Sequence, residues 1–122
     1  MPAPCLCRVT ANYCQPQSER ALFLERGQSV LRVEPDRRHV GWWWCVDRWG
    51  NAGWVHESVL GEDDYRFIAL EDFDSHELCV RVGEVLRLLE TRSGRARCIN
   101  AAGEVGWLPM EVLEIALLSE QD

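Results

Sequence analysis

The sequence predicts an all-β protein made of two copies of one small module. Three observations carry this. First, residues 41–60, "GWWWCVDRWGNAGWVHESVL", lie over residues 94–113, "GRARCINAAGEVGWLPMEVL", without a gap. Gly41, Cys45, Gly50, Gly53-Trp54 and Val59-Leu60 match Gly94, Cys98, Gly103, Gly106-Trp107 and Val112-Leu113. Second, short aliphatic and β-branched runs alternate with glycine-containing turns. Third, no stretch keeps a long 3.6-residue period. A self-similarity of this length is the signature of a repeated structural unit.

The elements follow in order. Upstream of the matched blocks, "ALFLERGQSVLRV" lies over "ELCVRVGEVLRLL", with Gly27 over Gly83; three extra residues of the first copy fall within "EPDRRHV". "SVLRVE" and "EVLRLLE" read as strands. "WWWCVDRWGNAGWV" reads as a hairpin turning near Trp49-Gly50-Asn51, where glycine can take a positive φ. "RARCINAAGEVGWL" repeats it around Gly103. The tail "MEVLEIALLSEQD" is the one candidate for a short helix. The modules are expected over residues 5–61 and 65–116, with "GEDD" as the linker between them. Successive strand side chains face opposite sides. Trp42, Trp43 and Trp44 therefore cannot all be core, and one outward ring needs a use.

Composition narrows the function. The 122 residues hold no lysine, which excludes P-loop and Schiff-base lysine chemistry. Residues 1–61 carry 7 Arg and 6 acids, whereas residues 62–122 carry 6 Arg and 14 acids. At a net charge of −7 the chain is a poor match for nucleic acid or anionic membranes and better suited to basic partners. No apolar run is long enough to cross a bilayer, and "MPAPCLCRVTANYC" does not read as a signal peptide, so a cytoplasmic location is expected. The six cysteines show no paired metal spacing and are expected as small buried hydrophobes rather than disulfides. His39, His56 and His76 are scattered, and His76 beside Asp74 and Glu77 reads as a polar loop rather than a metal site. No catalytic constellation, metal or cofactor is expected.

Both copies resemble Src-homology-3 (SH3) domains. "VTANY" (9–13) and "ALEDF" (69–73) occupy the family's ALYDY block. "ALFLERGQ" and "ELCVRVGE" occupy the ELSF and G-D block, "GWWW" and "GRAR" the G-W-W block, and "GWVHESVL" and "GWLPMEVL" the last block. The resemblance implies two tandem five-stranded barrels joined by a short linker. It implies a protein-protein interaction module of the adaptor type that binds proline-rich peptides in polyproline II form on an aromatic groove. Carried over by position, the first groove comprises Tyr13, Glu19, Trp42, His56 and Val59, with Glu57 as a further acid, and Trp42 is its outward ring. The second copy gives Phe73, Asp74, Glu77 and Pro109 as a possible second surface. Its groove tryptophan is replaced by Arg95, and its acid loop is shortened. The pairing is loosely similar to the two SH3 modules of oxidase organiser proteins, which work together against one basic segment.

Three readings of function follow. The leading one is a non-catalytic, monomeric scaffold module binding a proline-rich or arginine-containing segment of another protein, or of a longer parent chain, through the first barrel. The second is an aromatic cage for methylated residues, built from Tyr13, Trp42, Trp44 and Trp49. The third is a rigid platform between domains or subunits, with no peptide site.

Overall fold

A computed structural model describes residues 5–15 and 21–117. The described chain is all-β: β1 (Cys5–Val9), β2 (Phe23–Leu24), β3 (Ser29–Pro35), β4 (Trp42–Val46), β5 (Ala52–His56), β6 (Leu60–Asp63), β7 (Arg66–Ala69), β8 (Phe73–Asp74), β9 (Val85–Arg92), β10 (Arg95–Ile99), β11 (Val105–Pro109) and β12 (Leu113–Leu117). Short 3-10 turns lead from β5 to β6 and from β11 to β12. The hairpin turns fall where glycine was expected, with Gly50 at φ +86° and Gly103 at +85°. The tail, expected as a helix, instead forms β12 as far as Leu117, because Cys5 to Val9 pair along it. Residues 118–122 lie outside the described residues.

Two five-stranded antiparallel sheets form, in the orders β11-β10-β9-β1-β12 and β5-β4-β3-β7-β6, and β2 pairs with β8. They are consistent with SH3-like barrels. The strands do not sort by repeat. β1, from the first repeat, lies between β9 and β12 of the second. Conversely, β7 of the second repeat lies between β3 and β6 of the first. The repeats have exchanged their leading strands.

The compact units follow this exchange. One comprises Met1–Gln15 with Glu77–Asp122, and the other Pro16–His76. The second is inserted into the first after Gln15. We call them the outer and the inserted unit. The boundary expected between 61 and 65 instead falls in a β hairpin, with Asp63 paired to Arg66 across Asp64 and Tyr65. The reason is loop closure. β6 and β7 are joined by two residues, so their pairing costs far less chain entropy than pairing β6 with β1 some fifty residues away. β1 then takes the equivalent place beside β9 and β12.

The outer core packs Cys7, Val9, Leu78, Val80, Leu86, Ala96, Cys98 and Leu108. Buried hydrophobic residues of the inserted unit are Leu22, Leu24, Val30, Trp42, Cys45, Val55, Val59, Ala69 and Phe73. Of the cysteines expected as buried thiols, Cys7, Cys45 and Cys98 are so. Cys14 and Cys79 are not: they are exposed and form a disulfide. This disulfide sits in the outer unit immediately outside both crossing points, next to the mutual backbone pairing of Tyr13 and Val80. Sequence spacing could not reveal it, because the two sulfurs meet only through the strand exchange.

Candidate functional site

Strand exchange redistributes the residues of the expected groove. Tyr13 belongs to the outer unit, whereas Trp42, His56, Glu57 and Val59 belong to the inserted one. Glu19 lies outside the described residues. The groove positions come together again in two mixed clusters, each drawing on both repeats.

In the inserted unit, Trp42 on β4 stands opposite His56 on β5. The rings meet edge-on at 5.3 Å. Phe73, from the second repeat, packs on Trp42 at 6.2 Å. Phe73 is placed there because β8 pairs with β2. Trp42 is 0% exposed. Its assignment as an outward ring is therefore corrected: it occupies the groove position but is buried. Val59 is likewise core, at 0% exposure, because the 3-10 turn of Glu57–Val59 rotates it inward. His56 caps that turn. Its Nδ1 accepts from the Ser58 amide at 3.2 Å and lies 2.8 Å from Ser58 Oγ. Glu57 is exposed, as is Asp74, whose carboxylate accepts from the His76 amide.

The other tryptophans follow strand alternation. Trp44 pairs directly with Trp54, their rings T-shaped at 5.1 Å. Trp43 faces the opposite side, where the Arg32 guanidinium lies over its ring at 3.8 Å. Trp49, at the hairpin turn, is 63% exposed and carries Arg48 at 5.2 Å. Trp42, being buried, does not offer its ring face to the cage considered above.

In the outer unit the tryptophan position holds a charge instead of a ring. Tyr13 takes the place of Phe73, Arg95 that of Trp42, and Pro109 that of His56. Arg95 pairs with Pro109 across β10 and β11. Its Nη1 donates to Glu77 Oε1 at 3.0 Å, and the Tyr13 hydroxyl donates to the same oxygen at 2.9 Å. Arg95 is 5% exposed, and the Glu77 side chain 15%. The Tyr13 phenol is pushed well above its ordinary value, first by burial and then by the neighbouring Glu77 charge. Glu77, the residue a ligand arginine would seek, already holds an arginine from its own unit. Sequence inspection marked the Trp42-to-Arg95 replacement but could not show where the guanidinium points.

Three of the four free thiols are buried. Burial pushes Cys45 up to about 12, although Arg32 pulls the other way. Burial also raises Cys7 and Cys98, whose sulfurs lie 3.7 Å apart. Among the described residues no group of His, Cys, Asp and Glu is placed to hold a metal ion.

The sheet orders, the mixed aromatic cluster and the block order invite comparison with known families. Residues 4–63 match the family model of the variant SH3 domain. The match stops before the second repeat, so it spans β1 to β6, strands that belong to both compact units. No curated protein and no solved structure matches the chain. SH3 domains are generally non-catalytic interaction modules, and this suggests a protein-interaction module here.

Proposed function

We propose that this protein is a non-catalytic protein-interaction module of two SH3-type units whose proline-peptide positions are filled from within. Partners then dock on other faces. The observation that carries this is the double occupation of the groove positions. Trp42 is buried against His56 and Phe73, and Glu77 holds Arg95 and Tyr13. A proline-rich peptide would have to displace a packed ring in one unit or break a largely buried ion pair in the other. Neither costs little: opening a packed core position, or leaving a buried carboxylate unpaired, costs several kcal/mol. The reading keeps the adaptor role that the SH3 resemblance implies but moves it away from the groove. It leans toward the platform alternative. A cytoplasmic location accords with most of the cysteines remaining thiols, while the exposed Cys14–Cys79 bond needs an oxidant to form.

The test is an amide and indole NMR titration of the intact, disulfide-bonded chain with an arginine-containing PxxP peptide. The Trp42 indole and the amides of Tyr13 and Glu77 are expected to stay still at millimolar peptide. Saturable shifts of these signals at micromolar peptide would reinstate a working proline groove.

A further inference from the structure

The inserted unit carries a cleft that the groove reading does not use. It has a volume of 470 Å³ and is lined by Ser29 to Arg32 on β3, Val46 to Arg48 at the end of β4, and Tyr65, Arg66 and Phe67 around the start of β7. Trp42, His56 and Phe73 do not line it. It therefore lies apart from the groove positions.

Three of its lining residues are arginines, in a chain of net charge −7. Arg32 is the unusual one. Its guanidinium lies over the Trp43 ring at 3.8 Å and over the Phe67 ring at 3.9 Å. Two aromatic faces so placed fix the guanidinium plane and leave its rim of N–H donors for bidentate bonding. Among the described residues no carboxylate pairs with Arg32 or Arg48. The one acid in the lining, Asp47, is 7% exposed, and its oxygens accept from the Trp49 and Asn51 amides and the Asn51 side chain. Arg66 meets Asp63 at 3.4 Å on the exposed rim, a screened and weak contact.

The fold does not require an arginine at position 32. The equivalent position in the outer unit is Leu88, paired with Cys98 as Arg32 is with Cys45. Ala96 and Cys7 occupy the positions of Trp43 and Phe67. A second feature points the same way. Asp64 and Tyr65 form the β6–β7 turn with φ of +46° and +71°. Glycine or asparagine is the usual choice at such positions, and a bulky ring there is uncommon. Here it stands fully exposed at the cleft rim. Leu31 beside it is 66% exposed.

We propose that this cleft docks an acidic segment of a partner protein in which carboxylates alternate with apolar side chains. The carboxylates pair with Arg32, Arg48 and Arg66, and the apolar residues lie against Leu31, Val46, Tyr65 and Phe67. A basic or proline-arginine ligand is repelled by the three arginines. A nucleic acid strand is disfavoured because its evenly spaced phosphates bring no apolar side chains to lie against Leu31 and Val46. The inference rests on the reading of the protein as an interaction module, and names its partner's chemistry.

The experiment uses the intact, disulfide-bonded chain and a fluorescein-labelled twelve-residue peptide alternating glutamate with leucine and phenylalanine. Binding is followed by fluorescence anisotropy. Arg32→Leu, which installs the outer unit's residue, is expected to weaken binding about tenfold, the range of a lost charge-assisted pair. Arg48→Ala and Arg66→Ala, both at exposed positions, are expected to weaken it about threefold each. They carry the test should Arg32→Leu disturb the fold. Replacing every glutamate of the peptide by glutamine should abolish most of the affinity. The proposal is overturned by no binding at millimolar peptide, by equal binding of the glutamine peptide, by an unchanged Arg48→Ala/Arg66→Ala double variant, or by a twelve-nucleotide single strand binding as tightly. Its failure is distinguishable from that of the groove reading, because the PxxP titration reads Trp42 and Glu77, which do not line the cleft.

Discussion

The outer and inserted units share strand order, register and glycine turns, yet they are filled in opposite ways. Where the outer unit puts Cys7, Leu88 and Ala96, the inserted unit puts Phe67, Arg32 and Trp43. Where the inserted unit stacks Trp42, His56 and Phe73, the outer one holds Arg95, Pro109 and Tyr13 around Glu77. One backbone template accepts both solutions: an edge-on aromatic cluster in one unit and an ion pair with a phenol hydrogen bond in the other. The comparison also separates repeat from unit. The outer unit borrows β1 and Tyr13 from the first repeat, and the inserted unit borrows β7, β8 and Phe73 from the second, so neither repeat contains a full set of its own contacts.

The largest effect expected from that comparison is the difference between folding and not folding. A chain of residues 1–15 joined directly to residues 77–122 keeps β1, β9 to β12 and the Cys14–Cys79 pair, and should fold. Residues 1–61 alone keep the whole first repeat but lack β7 and Phe73, and should not. Amide dispersion in NMR spectra of the two fragments decides this. If residues 1–61 fold with β1 beside β3 and β6, the exchange is not intrinsic to the repeat.

Next in size is the disulfide. It spans a sequence separation of 65 residues, for which the chain-entropy relation gives on the order of 4 kcal/mol. Cys14→Ser with Cys79→Ser should lower the urea midpoint of the outer unit's signals and leave those of the inserted unit nearly unchanged. A uniform loss would show that the units melt as one.

The Arg95 pair comes third. Arg95→Ala leaves Glu77 without that guanidinium and should cost about 3 kcal/mol. Replacing both by leucine should recover most of it, whereas a merely steric role for Arg95 would show no such recovery. The same cluster sets an alkaline limit. Folded Tyr13 titrates above the ordinary value of 10.0. Below that pH both folded and unfolded chains keep the phenol proton. Above it the unfolded chain loses the proton first, so stability falls as pH rises. Glu77→Gln removes the second cause of the shift and should reduce that fall. Phenolate absorbance, compared between the parent chain and Glu77→Gln, follows the titration.

The smallest effect concerns how the inserted unit is closed. A Cβ added to Gly53 would come within 2.7 Å of Ser75 Cβ. Gly53→Ala should cost about 1–3 kcal/mol through overpacking. It should also shift the Ser75 amide, a residue of the second repeat, measured by thermal melting and NMR. An undisturbed Ser75 would break the claim that residues 73–76 pack within the inserted unit.

Sequence by itself determined the strands, the hairpin turns at Gly50 and Gly103, the twofold repeat and the SH3-like pattern. Those signals are local: alternation, glycine placement and motif order all act within about twenty residues. Across the two hairpins Trp42 pairs with His56 and Arg95 with Pro109. Only the tertiary structure decided which strand completes which sheet, that Tyr13 meets Glu77, that Cys14 bonds Cys79, and that Leu113–Leu117 is a strand. Each of these depends on a competition between distant partners of nearly equal chemistry. The matching blocks of the two repeats leave both pairings open at the level of sequence. The two-residue turn between β6 and β7 then tips the choice, because the nearest strand closes the smallest loop.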